Sequence, residues 1–423
     1  MLERLDETGW ARLTHAYGYA GDVPGQLRSL SSAEPEERQA ALSALYGNIF
    51  HQGTRYEASA PAVPFLLALA TDPGTPERDG VLWLLAALAI GYDDPFVPEG
   101  FPVAELRRAA RGGAELAATA HAFELADRPR EAGDEGWEDD GPARYFYEAS
   151  LSEADQNRLG AHVALAAYDA VRAGLPAVRA LTAEHEPPEI RRAAAYLLAW
   201  FPEDAAESVP VLIAAAAGKD SATAAIALTG LGLLGAPYDA AVAGALGSAV
   251  SGDAPEVVRW GAATALARLR GPAAGERAIG ELRAWLARDG SGYGGRHPDI
   301  PFLDGNVRGY AAQSLRALGD PATDAATFDG LLGQLPRLSG PPILPVLDAA
   351  LALAFPDGAI RPGTPAGELT DRQRRLAGLL ADNPGCWRTE DRQFGNVGHL
   401  IASYGLPGRQ DRLAGYLARE EAA

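Results

Sequence analysis

A chain of 423 residues has room for two or three domains of about 150 residues, or for one elongated array. Its 37 basic and 56 acidic side chains leave a net charge of −19, and 47% of the residues are apolar, which excludes wholesale disorder. That balance has the wrong sign for tracking phosphates, because nucleic-acid affinity rests largely on clustered Lys and Arg, so nucleic acid is not an expected partner.

One cysteine, Cys386, excludes an internal disulfide and any Cys-based metal centre. No two of the seven histidines stand four residues apart, and no His-Glu-x-x-His occurs, so neither metal nor cofactor is expected. The first residues hold no basic region followed by an apolar one. The longest apolar stretch, 81–90, is far short of the ~20 residues that span a bilayer. The expectation is a soluble, cytoplasmic protein without membrane contact. Of the basic residues only Lys219 is lysine, and with 48 Gly, 31 Pro and abundant Ala this usage fits a GC-rich genome.

In chain order, residues 26–30 and 35–42 form a first pair of short helices, the second opening on Pro35-Glu36-Glu37-Arg38. Residues 51–57 then pack imidazole, amide, guanidinium, phenol and carboxylate together: His51, Gln52, Arg55, Tyr56 and Glu57. As a plain turn, Gly53 allows positive φ, Thr54 and Glu57 form a capping box, and Arg55 pairs with a neighbouring carboxylate. As a site, the same stretch offers directional donors and an aromatic face to a ligand or partner. A second helix pair covers 62–69, with Val63-Pro64, and 81–90. The turn after it holds Tyr92, Asp93 and Asp94, which in stacked repeats would lie beside the 51–57 turn; His51 near Asp93 would be an acid–base or a structural pair.

Residues 93–150 interrupt the pattern with a Pro-rich segment, a helix near 103–127 and an acidic run at 131–140 that reads as a solvated loop. From 151 the pairs resume. Ser152 with Asp155 marks one helix start. Segments 188–197, 255–266 and 305–315 share an apolar residue, an Arg (Arg191, Arg259, Arg308) and a small-residue helix. A degenerate copy at 220–228 has Thr223 in the Arg place, so the spacings are 32, 36 and 49 residues. The last is lengthened by an insertion at 289–301, whose glycine-rich 290–295 follows an amphipathic helix and lacks Gly-Lys-Ser/Thr, and so is not a phosphate loop. Beyond 320 the pattern fades, with a capping box at Thr370 and Gln373.

Leu, Ile and Val at i, i+3, i+4 and i+7 between small residues give stripes that one helix pair cannot bury alone, so stability must come from stacking. No sustained period-2 run predicts a strand. The Val-Pro of 63–64 and 209–210 and the Val-Arg-x-x-Ala-Ala-x-x-Leu of 258–266 and 307–315 resemble the HEAT-repeat family, in particular its HEAT-like, phycobilin-lyase-type repeats. The stretch from His51 to Pro64 is similar to that of uncharacterised bacterial HEAT-repeat proteins. The resemblance implies an all-α fold, a HEAT-like α-solenoid of stacked antiparallel helix pairs with an irregular insertion and a divergent C-terminal cap. It divides the chain into repeats at 1–92, an irregular acidic insertion at 93–150, repeats at 151–320, and C-terminal repeats and cap at 321–423.

Such arrays are scaffolds, and no complete catalytic signature stands out. The expected function is a non-enzymatic scaffold binding a protein partner, with the acidic charge suited to a basic one, an immunity-type inhibitor of a toxin being an example. The alternative is an enzyme or small-molecule binder, placed in a biosynthetic pathway, that uses the edge made by His51, Gln52, Arg55, Tyr56, Tyr92, Asp93 and Asp94. A HEAT-like DNA glycosylase is a minor alternative, at odds with the charge.

Overall fold

The computed structural model describes residues 2–126, 143–288, 296–319, 321–389 and 392–421; the acidic run at 131–140 and the glycine-rich 290–295 lie outside these. The described chain is mostly helical, with many helices packed against one another, and its contacts divide into two compact units. The first takes the residues up to Tyr92 together with Phe101–Val211; the second takes Asp93–Gly100 and everything from Leu212 on.

In the first unit, hairpin β1 (Thr14–His15) with β2 (Gly18–Tyr19) precedes α1 (Val23–Ser29) and α2 (Pro35–Asn48). Hairpin β3 (Phe50–His51) with β4 (Thr54–Arg55) leads into α3 (Ser59–Thr71) and α4 (Arg78–Ile90). After the chain returns come α5 (Val103–Ala109), α6 (Gly113–Ala126), α7 (Ala143–Ser150), α8 (Glu153–Ala173), α9 (Leu175–Ala180) and α10 (Pro188–Leu198). The 21-residue α8 is the member against which α3, α4, α5 and α6 pack. Nearly the whole circumference of α4 is apolar and buried, as expected of a helix walled in by α3, α8 and α10. Aromatic rings tie these helices: Trp83 of α4 meets Tyr196 of α10 at 5.3 Å, and Tyr168 of α8 stacks on Phe101 at 5.2 Å and on Phe201 at 4.7 Å.

Across the division at residue 211 runs α11 (Ala205–Ala216). The second unit then holds α12 (Ser221–Leu233), α13 (Ala240–Ala249), α14 (Glu256–Arg270), α15 (Glu276–Ala287), α16 (Val307–Ala317), α17 (Pro321–Gln334), α18 (Ile343–Ala354) and α19 (Asp371–Asp382). It ends in hairpin β5 (Arg388–Thr389) with β6 (Arg392–Gln393), α20 (Gly395–Ser403) and α21 (Gln410–Glu421). From α13 to α18 each helix packs on the next, while α12, α14, α16 and α18 also pack successively on one another. The α12–α14 seam is backbone-close: a Cβ on Gly261 would lie 2.5 Å from the Ala225 carbonyl oxygen, and one on Gly232 would lie 2.8 Å from the Ala265 Cα. Buried Thr229 and Thr264 satisfy each other across it at 3.2 Å.

At four helix starts, Arg38, Arg78, Arg259 and Arg308, the arginine is a clamp; Arg191 is not, its buried Nε having no partner among the described residues. Arg38 donates to the Ser32 and Ala33 carbonyls behind it and reaches Glu77 at 2.8 Å. Arg78 pairs with Glu186 at 2.6 Å with both side chains largely buried. In the second unit Arg259 joins the Ala254 carbonyl to Glu281, and Arg308 donates to the Arg288 carbonyl. At the Arg-less copy, Thr223 instead donates its N–H and hydroxyl to the Asp220 cap.

Residues Asp93–Gly100 are built into the second unit. The Asp93 carboxylate accepts the Leu303 N–H at 3.0 Å, the Glu99 carbonyl takes the Arg268 guanidinium, and the Glu99 carboxylate pairs with Arg316 at 2.8 Å. The donating N–H belongs to Leu303, the first of three successive left-handed residues, Leu303, Asp304 and Gly305, a conformation the first two hold only under outside constraint.

Several expectations change in detail. Short strands do exist, as two-residue hairpins too brief for a period-2 signal. The helix expected near 103–127 is two, α5 and α6, parted at Gly112, whose φ is +80°. The stretch 93–150 expected to be irregular therefore holds three described helices. Val-Pro does not open its helices: Pro64 and Pro210 sit inside α3 and α11, which begin about a turn earlier.

Gly261→Ala is expected to lose about 1–3 kcal/mol of stability through overpacking, outweighing the roughly 1 kcal/mol of helix propensity that alanine adds. Gly280→Ala at an exposed position of α15, where an added Cβ meets nothing within 4 Å, should be neutral or stabilising by up to about 1 kcal/mol. Denaturant midpoints of the two variants check the seam, and equal midpoints would contradict it.

Candidate functional site

The stretch at 51–57 is a hairpin and its exit. Gln52 (φ 50°) and Gly53 (φ 87°) make a two-residue turn with both central residues left-handed, the type I′ geometry whose twist matches paired strands. Thr54 therefore lies in β4, and the expected Thr54–Glu57 capping box does not form; α3 begins only at Ser59. Ser59, fully buried, closes the loop by donating to the Ile49 carbonyl at 2.6 Å and accepting the Tyr56 N–H at 2.7 Å. The neighbouring hairpin is tied in by Ala16 N–H on the Asn48 carbonyl and Ala58 N–H on the Thr14 carbonyl.

His51 and Tyr17 pack edge to face, ring centres 5.3 Å apart. His15 is a structural histidine: its Nδ1 accepts the Tyr17 N–H at 3.1 Å and its Nε2 sits 2.9 Å from Asp22, which selects the Nε2–H tautomer. Tyr92 packs edge-on against Phe50 at 5.6 Å and lies over Gly53. Arg55 does not pair with a carboxylate as expected of a plain turn. It donates to the Gly53 carbonyl at 2.6 Å beside Gly91, and its buried Nε has no hydrogen-bond partner among the described residues. Burial pushes its pKa down to about 10. Gln52 is exposed at the turn. Asp93 and Asp94 belong to the second unit, where buried Asp93 holds Leu303 and burial raises the pKa of Asp94, helped by Asp304.

Beside this hairpin opens a cleft of about 370 Å³. Arg55 and Tyr56 line it with Thr14, Thr54 and Glu57, and α7 and α8 supply Arg144, Tyr145, Glu148 and Gln156 over an apolar floor at Leu159 and Val163. At its centre Arg144, whose side chain is 3% exposed, pairs with both Glu57 and Glu148. The second Glu57 oxygen accepts the Thr14 hydroxyl at 3.1 Å. The Tyr145 hydroxyl donates to the His15 carbonyl, anchoring α7 to the first hairpin. Burial raises the pKa of Tyr56, with Tyr17 and Glu148 adding to it, and burial likewise raises that of Tyr145.

The cleft thus takes up Arg55 and Tyr56, while His51 and Tyr92 pack along the same pair of hairpins. Thr14, Arg144, Tyr145, Glu148 and Gln156 carried no local signal in the sequence, because they reach the cleft from segments up to about 140 residues away. Among the described residues no group of three His, Cys, Asp or Glu could hold a metal ion. No described helix is long and apolar enough to cross a membrane. Cys386 is fully buried, its thiol set on the Leu335 carbonyl at 3.3 Å, and burial pushes its pKa up to about 11.

Arg144→Ala leaves two carboxylates without their cation, one of them largely buried, and should cost at least about 2 kcal/mol; chemical denaturation checks it, and a change under about 0.5 kcal/mol would mean that water already screens the three charges. For Cys386 the folded thiol stays protonated up to about pH 11, whereas the unfolded one ionises from about 9.0, so unfolding releases a proton in that window. Stability is expected to fall as pH rises from about 9 to about 11, and Cys386→Ala should flatten part of that slope, measured as denaturation midpoint against pH.

No protein-family model and no curated protein matches the chain. A solved crystal structure of an engineered protein is similar over 95% of this chain and 99% of its own, at 16% identity and a TM-score of 0.30.

Proposed function

We propose that this chain is a non-enzymatic HEAT-like α-solenoid that binds a basic protein partner through the hairpin face of its first unit. The solenoid reading rests on the repeated Val-Arg helices and on the second unit's packing, where helices touch the next and the next but one, the pattern of stacked pairs.

The observation that carries the binding reading is the exposure of four aromatics on the first unit, which also holds the cleft in which Glu57 and Glu148 share Arg144. Among the described residues five large apolar side chains are exposed, and four belong to the first unit: Tyr17, Tyr19, Tyr92 and Phe146. Tyr17 lies on His51, Tyr92 on the 50–55 hairpin, and Phe146 follows Tyr145, the residue anchored on His15. Aromatic side chains left in water bury large areas at small entropic cost when a partner covers them, which is why they dominate interface energetics. A chain of net charge −19 steers a basic partner toward such a face. An immunity-type inhibitor of a basic toxin is one member of this class. The small-molecule reading draws support from the cleft itself, whose 370 Å³ falls within the roughly 300–1,000 Å³ of ligand pockets.

A photo-crosslinker placed at Tyr17 or Phe146 in cells should capture a basic protein that one at Tyr238, the exposed aromatic of the second unit, does not. With the purified pair, Tyr17→Ala and Phe146→Ala should each weaken binding by about thirtyfold or more, with stability within about 0.5 kcal/mol of the parent. Unchanged affinity, or equal capture at Tyr238, would remove this face as the binding surface.

A further inference from the structure

Resting on the reading of the hairpin face as a docking surface, we propose that its cleft seats one cationic side chain of the partner, an arginine or lysine, against the Glu148 carboxylate beside Tyr56 and Tyr145. Most of the charged groups in the cleft already have partners. Arg144 is committed to Glu57 and Glu148, and Glu57 uses its second oxygen on Thr14. Glu148 meets Arg144 through one oxygen only, and its side chain is 34% exposed, leaving the other oxygen available to a donor from outside.

Arg55 also lines the cleft, but its Nη1 is held on the Gly53 carbonyl and against Gly91, neither of which lines it. The phenol groups respond accordingly: Glu148 raises the pKa of both Tyr56 and Tyr145, and Tyr17 adds to that of Tyr56, while Arg55 is not among their perturbing charges. A carboxylate with a free oxygen beside tyrosine rings is the chemistry that holds a cation, through a charge-assisted hydrogen bond and the negative faces of the rings. The floor of Ala149, Leu159 and Val163 suits the aliphatic stem of such a side chain. The volume of about 370 Å³ exceeds one side chain, so bridging water completes the fit.

The test uses the full chain and defined probes in calorimetric titrations: the N-acetyl methylamides of arginine, lysine, citrulline and glutamate. Arginine and lysine should show saturable, millimolar binding, citrulline at least tenfold weaker binding, and glutamate none. Glu148→Gln should weaken the arginine probe at least tenfold. Because that change also strips a partner from Arg144, Tyr56→Leu is the second variant; it keeps the ion pairs and should weaken binding several-fold at unchanged melting temperature. Absence of saturable arginine binding, equal binding of citrulline, or indifference to both variants overturns the proposal. Preferential binding of glutamate also overturns it, assigning the cleft to an anion on Arg55. The docking face is tested separately through Tyr17 and Phe146, so a cleft that refuses arginine and a face that refuses a partner give different results.

Discussion

A guanidinium with 3% of its side chain exposed cannot keep its water, and the cost of stripping it must be met on the spot by opposite charge. Arg144 meets that cost twice, with Glu57 at the hairpin exit and Glu148 one turn along its own helix. The consequences spread outward. The pair with Glu57 fastens α7 to a hairpin 87 residues earlier, and the Tyr145 hydroxyl adds a second fastening on His15. Glu148 is left presenting an oxygen to the cleft, and the tyrosines around it feel that charge. Removing Arg144 strands both carboxylates, so the cleft, the helix and the hairpin hold their places through it.

The same solution recurs through the helix pairs in smaller form. Arg38, Arg259 and Arg308 each reach carbonyls that a turn leaves without intrahelical donors, and Arg38 and Arg259 add a carboxylate from another element. An arginine is suited to this because its fork reaches two acceptors at once while its stem covers apolar surface. Lysine, a single flexible point charge, would hold one acceptor and give up the other.

What was legible in the sequence followed from local rules. Apolar spacing and small residues located the helices, the Thr370–Gln373 box formed as expected, and Ser152 capped α8. The chemistry concentrated at 51–57 was visible because it is contiguous. Its geometry was not: Gln52-Gly53 departs from the Asn-Gly that announces a type I′ hairpin, and two-residue strands are too short to alternate. The other wall of the cleft was hidden for a different reason. Arg144, Tyr145 and Glu148 look like any polar face of an amphipathic helix, and only the packing of α7 and α8 against the hairpins turns them inward. Asp93 misled in the opposite sense, since a charged residue in a turn beside a candidate site has its described partner at Leu303, 210 positions away.

Net charge and offered charge are different quantities in this chain. Arg38, Arg78, Arg107, Arg144, Arg172 and Arg259 are all engaged with carboxylates or carbonyls of their own unit, and Arg107 alone bridges Asp169 and Glu203. Each such pair cancels at short range, so the field that reaches a partner is set by the carboxylates left over in a chain of 56 acidic and 37 basic side chains. Arginine abundance therefore does not make this surface cationic. It supplies pairs within each unit, and in the first unit it leaves Glu148 with one oxygen on Arg144 and the side chain one-third exposed.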